Sequence, residues 1–124
     1  MKLAPNRISL AEAARRVRGY IAVNAELADS TMVAEFQSAD RISDLLNAAS
    51  ESVLLVTELA NAQLARVAEL MDVVGICLVN GTKPDPTLAA ALKRLGTVLL
   101  VAPTNASDTL ARLRSGAEPP IEKP

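Results

Sequence analysis

The chain has 124 residues, enough for one domain with its own core and too few for several. Half of the residues are apolar, yet Tyr20 and Phe36 are the sole aromatic ones, so the core must be built from Ala, Val, Leu and Ile. Thirteen basic side chains against 14 acidic ones give a net charge of −1, which excludes the clustered basic excess of a nucleic-acid binder; two aromatics exclude a base-stacking platform.

In chain order, Leu10, Ala13, Ala14 and Val17 recur at the spacing of a helix with one buried face. Ser9 and Glu12 before and inside it read as a capping box. Residues 19–23 and 31–36 are short, mixed candidate strands joined by 24–30, and they read as an added edge or a small side layer. Ile42, Leu45, Leu46 and Ala49 mark a second helix, with Asp40 as its expected cap. Leu64, Val67, Ala68 and Met71 mark a third, with Asn61 as its cap. Leu88, Ala91, Leu92 and Leu95 mark a fourth, where Asp85-Pro86 places an acceptor at the cap and proline at the first helical position. A shorter fifth helix runs through Leu110 and Leu113. Residues 115–124 carry three prolines and little apolar content, which predicts a disordered tail behind a single domain over 1–114.

Between the helices lie three continuous apolar runs, Val53–Val56, Ile76–Val79 and Val98–Val101. Continuous rather than alternating runs are expected of strands covered on both faces. A strand–helix period of about 22 residues is a series of βαβ units. The expected fold is therefore α/β: three layers around a mainly parallel sheet, with a smaller N-terminal strand layer. A solenoid also has a regular period, but three units of differing sequence fit an open sheet better.

The side chains that usually carry chemistry are missing. No histidine is present, which removes the common general base and metal ligand, and one cysteine cannot complete a zinc site. Ser/His/Asp and Cys/His arrangements are excluded, and neither a Walker loop nor a Gly-x-Gly-x-x-Gly turn is present. Glu51 and Glu58 are a conceivable carboxylate pair, but nothing places them in one cleft. No catalysis, cofactor or metal is expected. Cys77 falls inside an apolar strand and reads as an inert core thiol. No apolar run reaches the length of a membrane span and no signal peptide is visible, so a cytoplasmic setting is expected.

Binding is better supported. Open parallel sheets take ligands beyond the carboxyl ends of their strands. Those ends read Thr57-Glu58, Asn80-Gly81-Thr82-Lys83 and Pro103-Thr104-Asn105. All are small and polar, and each leads toward a helix N-terminus that can receive an anion. The candidate ligand residues are Thr57, Asn61, Asn80, Gly81, Lys83, Thr104 and Asn105, with Lys83 as the charge for a phosphate or carboxylate. The competing reading is that βα loops need caps and glycine turns whether or not anything binds.

Four short stretches carry a family resemblance. They are Asp40-Arg41-Ile42-Ser43-Asp44-Leu45-Leu46, Thr57-Glu58-Leu59-Ala60-Asn61-Ala62-Gln63, Asn80-Gly81-Thr82-Lys83-Pro84 and Val101-Ala102-Pro103-Thr104. In that order and spacing, residues from about 16 to 113 resemble the DRTGG domain, named for an Asp-Arg-Thr-Gly-Gly signature. The resemblance implies a regulatory or accessory α/β module that tends to dimerise. Such domains are found alone, at the N-terminus of the kinase and phosphorylase acting on HPr, or beside CBS pairs in regulated pyrophosphatases and phosphotransacetylase-type enzymes. Short examples associate with iron hydrogenases. Where the signature glycines should fall, this chain has Glu35 and Phe36, which lack the backbone freedom of glycine and argue against a ligand held there. Phe36 suits either a dimer interface or the core. No kinase activity is implied, since the kinase motifs lie outside this domain.

Two main functions are thus expected: a homodimeric protein-interaction module that regulates a partner enzyme, or a sensor of a nucleotide or other anionic metabolite at the strand exits. An enzyme using carboxylates and hydroxyls alone is the third. No nucleic-acid or membrane partner is expected.

Overall fold

The computed structural model describes residues 7–50 and 52–115. In it the three apolar runs become β5 (Val53–Thr57), β6 (Gly75–Leu78) and β7 (Val98–Val101), parallel and adjacent. They are the middle of a five-stranded sheet in the order β2-β7-β6-β5-β4. The edge strand β4 (Glu35–Ser38) is parallel to β5, and the opposite edge β2 (Tyr20–Val23) is antiparallel to β7. A second sheet of two antiparallel strands, β1 (Ile8–Ser9) and β3 (Met32–Val33), sits apart from it.

Alternate residues of the central strands face two separate cores. Val53, Leu55, Ile76, Leu78, Leu99 and Val101 point to one face and pack under α2 (Ile42–Ala48), α3 (Ala62–Met71) and α4 (Pro86–Leu95). Leu54, Val56, Cys77, Val79, Val98 and Leu100 point to the other and pack under α1 (Leu10–Val17) and α5 (Ala106–Arg114). All twelve are buried. This two-sided burial is why the runs read as unbroken apolar segments. The expected three-layer α/β fold with a small N-terminal strand layer is what the chain adopts. No helix among the described residues is long and apolar enough to cross a membrane.

Several local readings are met and others corrected. Asp85 and Asn61 cap α4 and α3 through their side chains, and Pro86 opens α4. Ser9 accepts a hydrogen bond from the Glu12 N–H at 3.0 Å, but Glu12 does not return it. Its carboxylate turns along the helix to Arg15 and Arg16, at 2.8 and 3.1 Å, so half of the capping box forms. The segment 31–36 is two strands rather than one. The Ala34 and Glu35 N–H groups both point at the Ser52 carbonyl, and the chain passes there from the small sheet to the large one. Phe36 is half-buried and packs in the α1/α5 core. Ser115 closes α5, and the predicted tail beyond it lies outside the described residues.

Three side chains, Arg16, Arg112 and Asn24, make long-range hydrogen bonds that hold the α1/α5 layer and the turn after β2. Arg16 donates to the Leu113 carbonyl at 2.8 Å, and Arg112 donates to the Val17 carbonyl at 3.2 Å. Each arginine thus serves a carbonyl at the C-terminus of the other helix, where free acceptors and the negative end of the helix dipole favour a cation. Asn24, in the left-handed region at φ 59°, donates from Nδ2 to the carbonyls of Leu92 and Thr97 at 3.0 and 2.9 Å. It ties the turn after β2 to the end of α4. Gly19 sits so close to β7 that a Cβ there would overlap the Val101 carbonyl oxygen.

Candidate functional site

The exits of β5, β6 and β7 lie at one end of the sheet, as parallel pairing requires. Thr57 closes β5, and its carbonyl accepts from the Val79 N–H at 3.1 Å. Its hydroxyl is fully buried, accepts from the Leu59 N–H at 3.1 Å and faces Asp40 Oδ1 at 3.4 Å. The same Asp40 oxygen accepts from the Glu58 N–H at 3.3 Å. Asp40 therefore fastens the exit of β4 to that of β5 and does not cap α2. The N-cap of α2 is Arg41, whose side chain makes no capping hydrogen bond. The two partners of Asp40 are 17 and 18 residues away, a relation that helix periodicity cannot reveal.

Asn80 and Gly81 occupy the left-handed region at φ 58° and 66°, and the Thr82 N–H closes on the Val79 carbonyl at 3.0 Å. Two consecutive positive φ values make a turn of the I′ kind, for which Asn-Gly is the preferred pair. Nothing lies within 4 Å of a Cβ added at Gly81, so conformation rather than space requires glycine there. The Asn80 N–H donates to the Thr104 carbonyl and the Gly81 N–H to the Ala102 carbonyl, both at 2.8 Å. The Asn80 amide reaches the Glu58 carboxylate. The β5, β6 and β7 exits are thus sewn together through Glu58, Asn80 and Thr104.

The remaining candidates serve the helix starts. Asn61 Oδ1 accepts from the Gln63 N–H at 3.0 Å, and Asn105 Oδ1 accepts from the Asp108 N–H at 2.8 Å. The Thr104 and Thr109 hydroxyls are 2.9 Å apart. Lys83 is exposed on the loop between the Asn80-Gly81 turn and α4, and the Asp85 N–H of that loop donates to the Ala60 carbonyl at 3.0 Å. All seven candidates therefore lie at the strand-exit end, and the backbone donors of the 80–82 turn are taken. Anion binding at loops relies on free N–H groups and a positive field. Here the amides of residues 80–82 are engaged, and the strand-exit segments carry four carboxylates, Asp40, Glu58, Asp85 and Asp108, against two cations, Lys83 and Arg41. Glu51, the other carboxylate considered in the sequence, lies outside the described residues. Among the described residues no group of three or more acidic or cysteine side chains is placed to hold a metal.

Cys77 is fully buried, and loss of hydration pushes its thiol up to about 12. A thiol held protonated in an apolar core has no nucleophilic use near neutral pH.

No protein-family model and no curated protein matches the chain. Among solved structures, it is similar to the CBS and DRTGG domains of the regulatory region of a Clostridium perfringens pyrophosphatase, a structure complexed with the activator diadenosine tetraphosphate. The TM-score is 0.67 at 16% identity, and the match covers 85% of this chain and 45% of that one. The chain thus spans less than half of the pyrophosphatase region it matches, and the likeness is one of fold. The sequence resemblance and the structural match agree: this chain has a DRTGG-like α/β fold.

Proposed function

We propose that the chain is a non-catalytic regulatory module that acts as a homodimer, through contact with another protein. The observation that carries this reading is the state of the strand exits. In a parallel α/β sheet that end is the expected ligand site. Here the N–H groups of residues 79–82 and the side chains of Asp40, Thr57, Asn61, Asn80, Thr104 and Asn105 are engaged in joining β4, β5, β6 and β7 to one another and in starting helices. What the molecule offers outward is surface, including Tyr20, Met32, Leu70 and Leu95, large apolar side chains left in solvent. The fold shared with an enzyme's regulatory region supports regulation of a partner enzyme in trans. Sedimentation equilibrium at micromolar concentration tests the reading. A dimer is expected, and a strict monomer would contradict it.

A second reading is a sensor of a nucleotide or other anionic metabolite at Thr57, Asn61, Asn80, Gly81, Lys83, Thr104 and Asn105. It is favoured by the exposure of Gly81 and Lys83 and by the nucleotide activator in the matched pyrophosphatase structure. A ligand of the native state raises the melting temperature. Under this reading a nucleotide screen gives a shift that Lys83→Ala reduces; no shift with any nucleotide or phosphorylated metabolite removes it.

A further inference from the structure

We infer that Arg114 guards the outer edge of β4 and keeps a second copy of this chain from pairing its own β4 there. β4 is the last strand of the five-stranded sheet, with β5 on one side of it. In the parallel register Glu35↔Val53 and Gln37↔Leu55, alternate residues of β4 turn their main-chain groups to β5. The Glu35 N–H meets the Ser52 carbonyl, and the Ala39 N–H meets the Val56 carbonyl, both at 3.2 Å. Residues 35, 37 and 39 are therefore the inward set. The N–H and C=O groups of Phe36 and Ser38 point away from the sheet. Among the described residues one side chain reaches this row: Arg114, the last residue of α5, donates from Nη2 to the Phe36 carbonyl at 3.0 Å. Its neighbour Leu113 is fully buried in the α1/α5 core, which fixes the end of α5 beside the edge.

An open row of N–H and C=O groups is a template for another strand. The two edges of the sheet differ in how they meet that hazard. β2 has a register irregularity between Ile21 and Val23 against β7, and a bulge twists an edge away from a would-be partner. β4 keeps an unbroken register against β5 over its four residues, has no proline, and carries a single charge, Glu35 at its first position. Its outward row is also self-complementary. A two-fold axis through Gln37 sets Phe36 of one copy against Ser38 of the other, and each such pair exchanges both of its main-chain hydrogen bonds. Arg114 obstructs this arrangement in two ways. It occupies the Phe36 carbonyl, an acceptor that each of the two pairs needs. It also sets a positive charge on each side of the junction, where the two repel.

The test compares the full chain with Arg114→Ala, Arg114→Lys, and Arg114→Ala combined with Ser38→Pro, by sedimentation equilibrium, with folding checked by circular dichroism. Each variant is read against the parent's own state, so the comparison holds whether the parent is a monomer or a dimer through another face. Arg114→Ala frees both Phe36 carbonyls of a pair and is expected to strengthen association about thirtyfold. Arg114→Lys keeps a positive donor at the edge and is expected to match the parent. Ser38→Pro removes an outward N–H and no bond to β5, a change an edge strand tolerates, and is expected to return the double variant to the parent's state. A readout independent of the proline is Gln37→Cys, since the axis sets position 37 of each copy opposite its equivalent at a separation a disulfide can span. Under a mild oxidant it is expected to cross-link several-fold faster with Arg114→Ala than with Arg114 in place. An Arg114→Ala variant that neither associates more than the parent nor cross-links faster overturns the guard. Added association that a folded Ser38→Pro double variant retains, or that brings no faster cross-linking, overturns it as well, because it then uses another surface.

Discussion

Replacing Asn24 probes how this small domain fixes the connection between its antiparallel edge strand and the helical layer. Asn24 is buried, sits at φ 59° and donates from one amide nitrogen to two carbonyls, Leu92 and Thr97. Asn24→Ala removes both hydrogen bonds, worth about 1 kcal/mol each in net stability. It also places a side chain in the left-handed region without the local polar bonding that lets asparagine visit it, at a cost of about 1 kcal/mol. The sum is about 3 kcal/mol, and for a chain of this size, at about 4 °C per kcal/mol, that lowers the melting temperature by about 12 °C. Asn24→Gly loses the same hydrogen bonds but tolerates the backbone angle, so it should be less harmful than alanine by about 1 kcal/mol. Asn24→Asp keeps the shape but turns carboxylate oxygens toward two carbonyls, and should be the worst of the three. Urea unfolding of the three variants, with unchanged slopes, gives the comparison. An Asn24→Ala variant within about 0.5 kcal/mol of the parent, the range of an ordinary surface substitution, would refute this reasoning. So would an Asn24→Gly variant less stable than Asn24→Ala.

Other perturbations follow from the same contacts. Arg16→Ala or Arg112→Ala each removes a charge-assisted bond to the C-terminus of a neighbouring helix, and urea unfolding should show a loss of about 1–2 kcal/mol for either; no loss from both would deny the clamp between α1 and α5. Gly19→Ala forces β2 away from the Val101 carbonyl, so thermal melting should show clear destabilisation and amide exchange should speed in β2 first, whereas an unchanged protein would mean the close approach is not needed. Cys77 should resist thiol reagents at pH 8 until urea unfolds the chain, and prompt native-state labelling would contradict its burial. Because its folded value is raised from 9.0 to about 12, the stability it contributes is present below pH 9.0 and lost as pH rises through that interval. Cys77→Ala should flatten that alkaline decline, and an equally steep decline would show that other groups cause it.

The sequence was most informative where local pattern and burial coincide. Leu64, Val67 and Ala68 recur at helical spacing because α3 has one buried face, and Ile76–Val79 is unbroken because β6 is covered on both. Asp85-Pro86 and Asn61 were legible because a cap acts within three residues of itself. The relations that close the strand-exit end were not legible. Asp40 looked like a cap by position, yet its carboxylate is recruited by Thr57 and Glu58 across the sheet. Asn24 lay in a stretch read as plain connection, because its partners are 68 and 73 residues away. Ala34, where the chain leaves one sheet for another, has no composition signal at all. The candidate ligand residues lie at one end of the sheet, since parallel strands must bring their exits together. Their mutual consumption of hydrogen bonds depends on side-chain geometry that spacing does not encode.

Sedimentation equilibrium of the unmodified chain between low and high micromolar concentration tests the proposed contact function most directly. A reversible species of twice the 13.0 kDa chain mass, indifferent to added nucleotides, is the expected result. A 13.0 kDa species throughout that range, or one whose mass changes only when a nucleotide is added, would contradict a module that works by homodimeric contact.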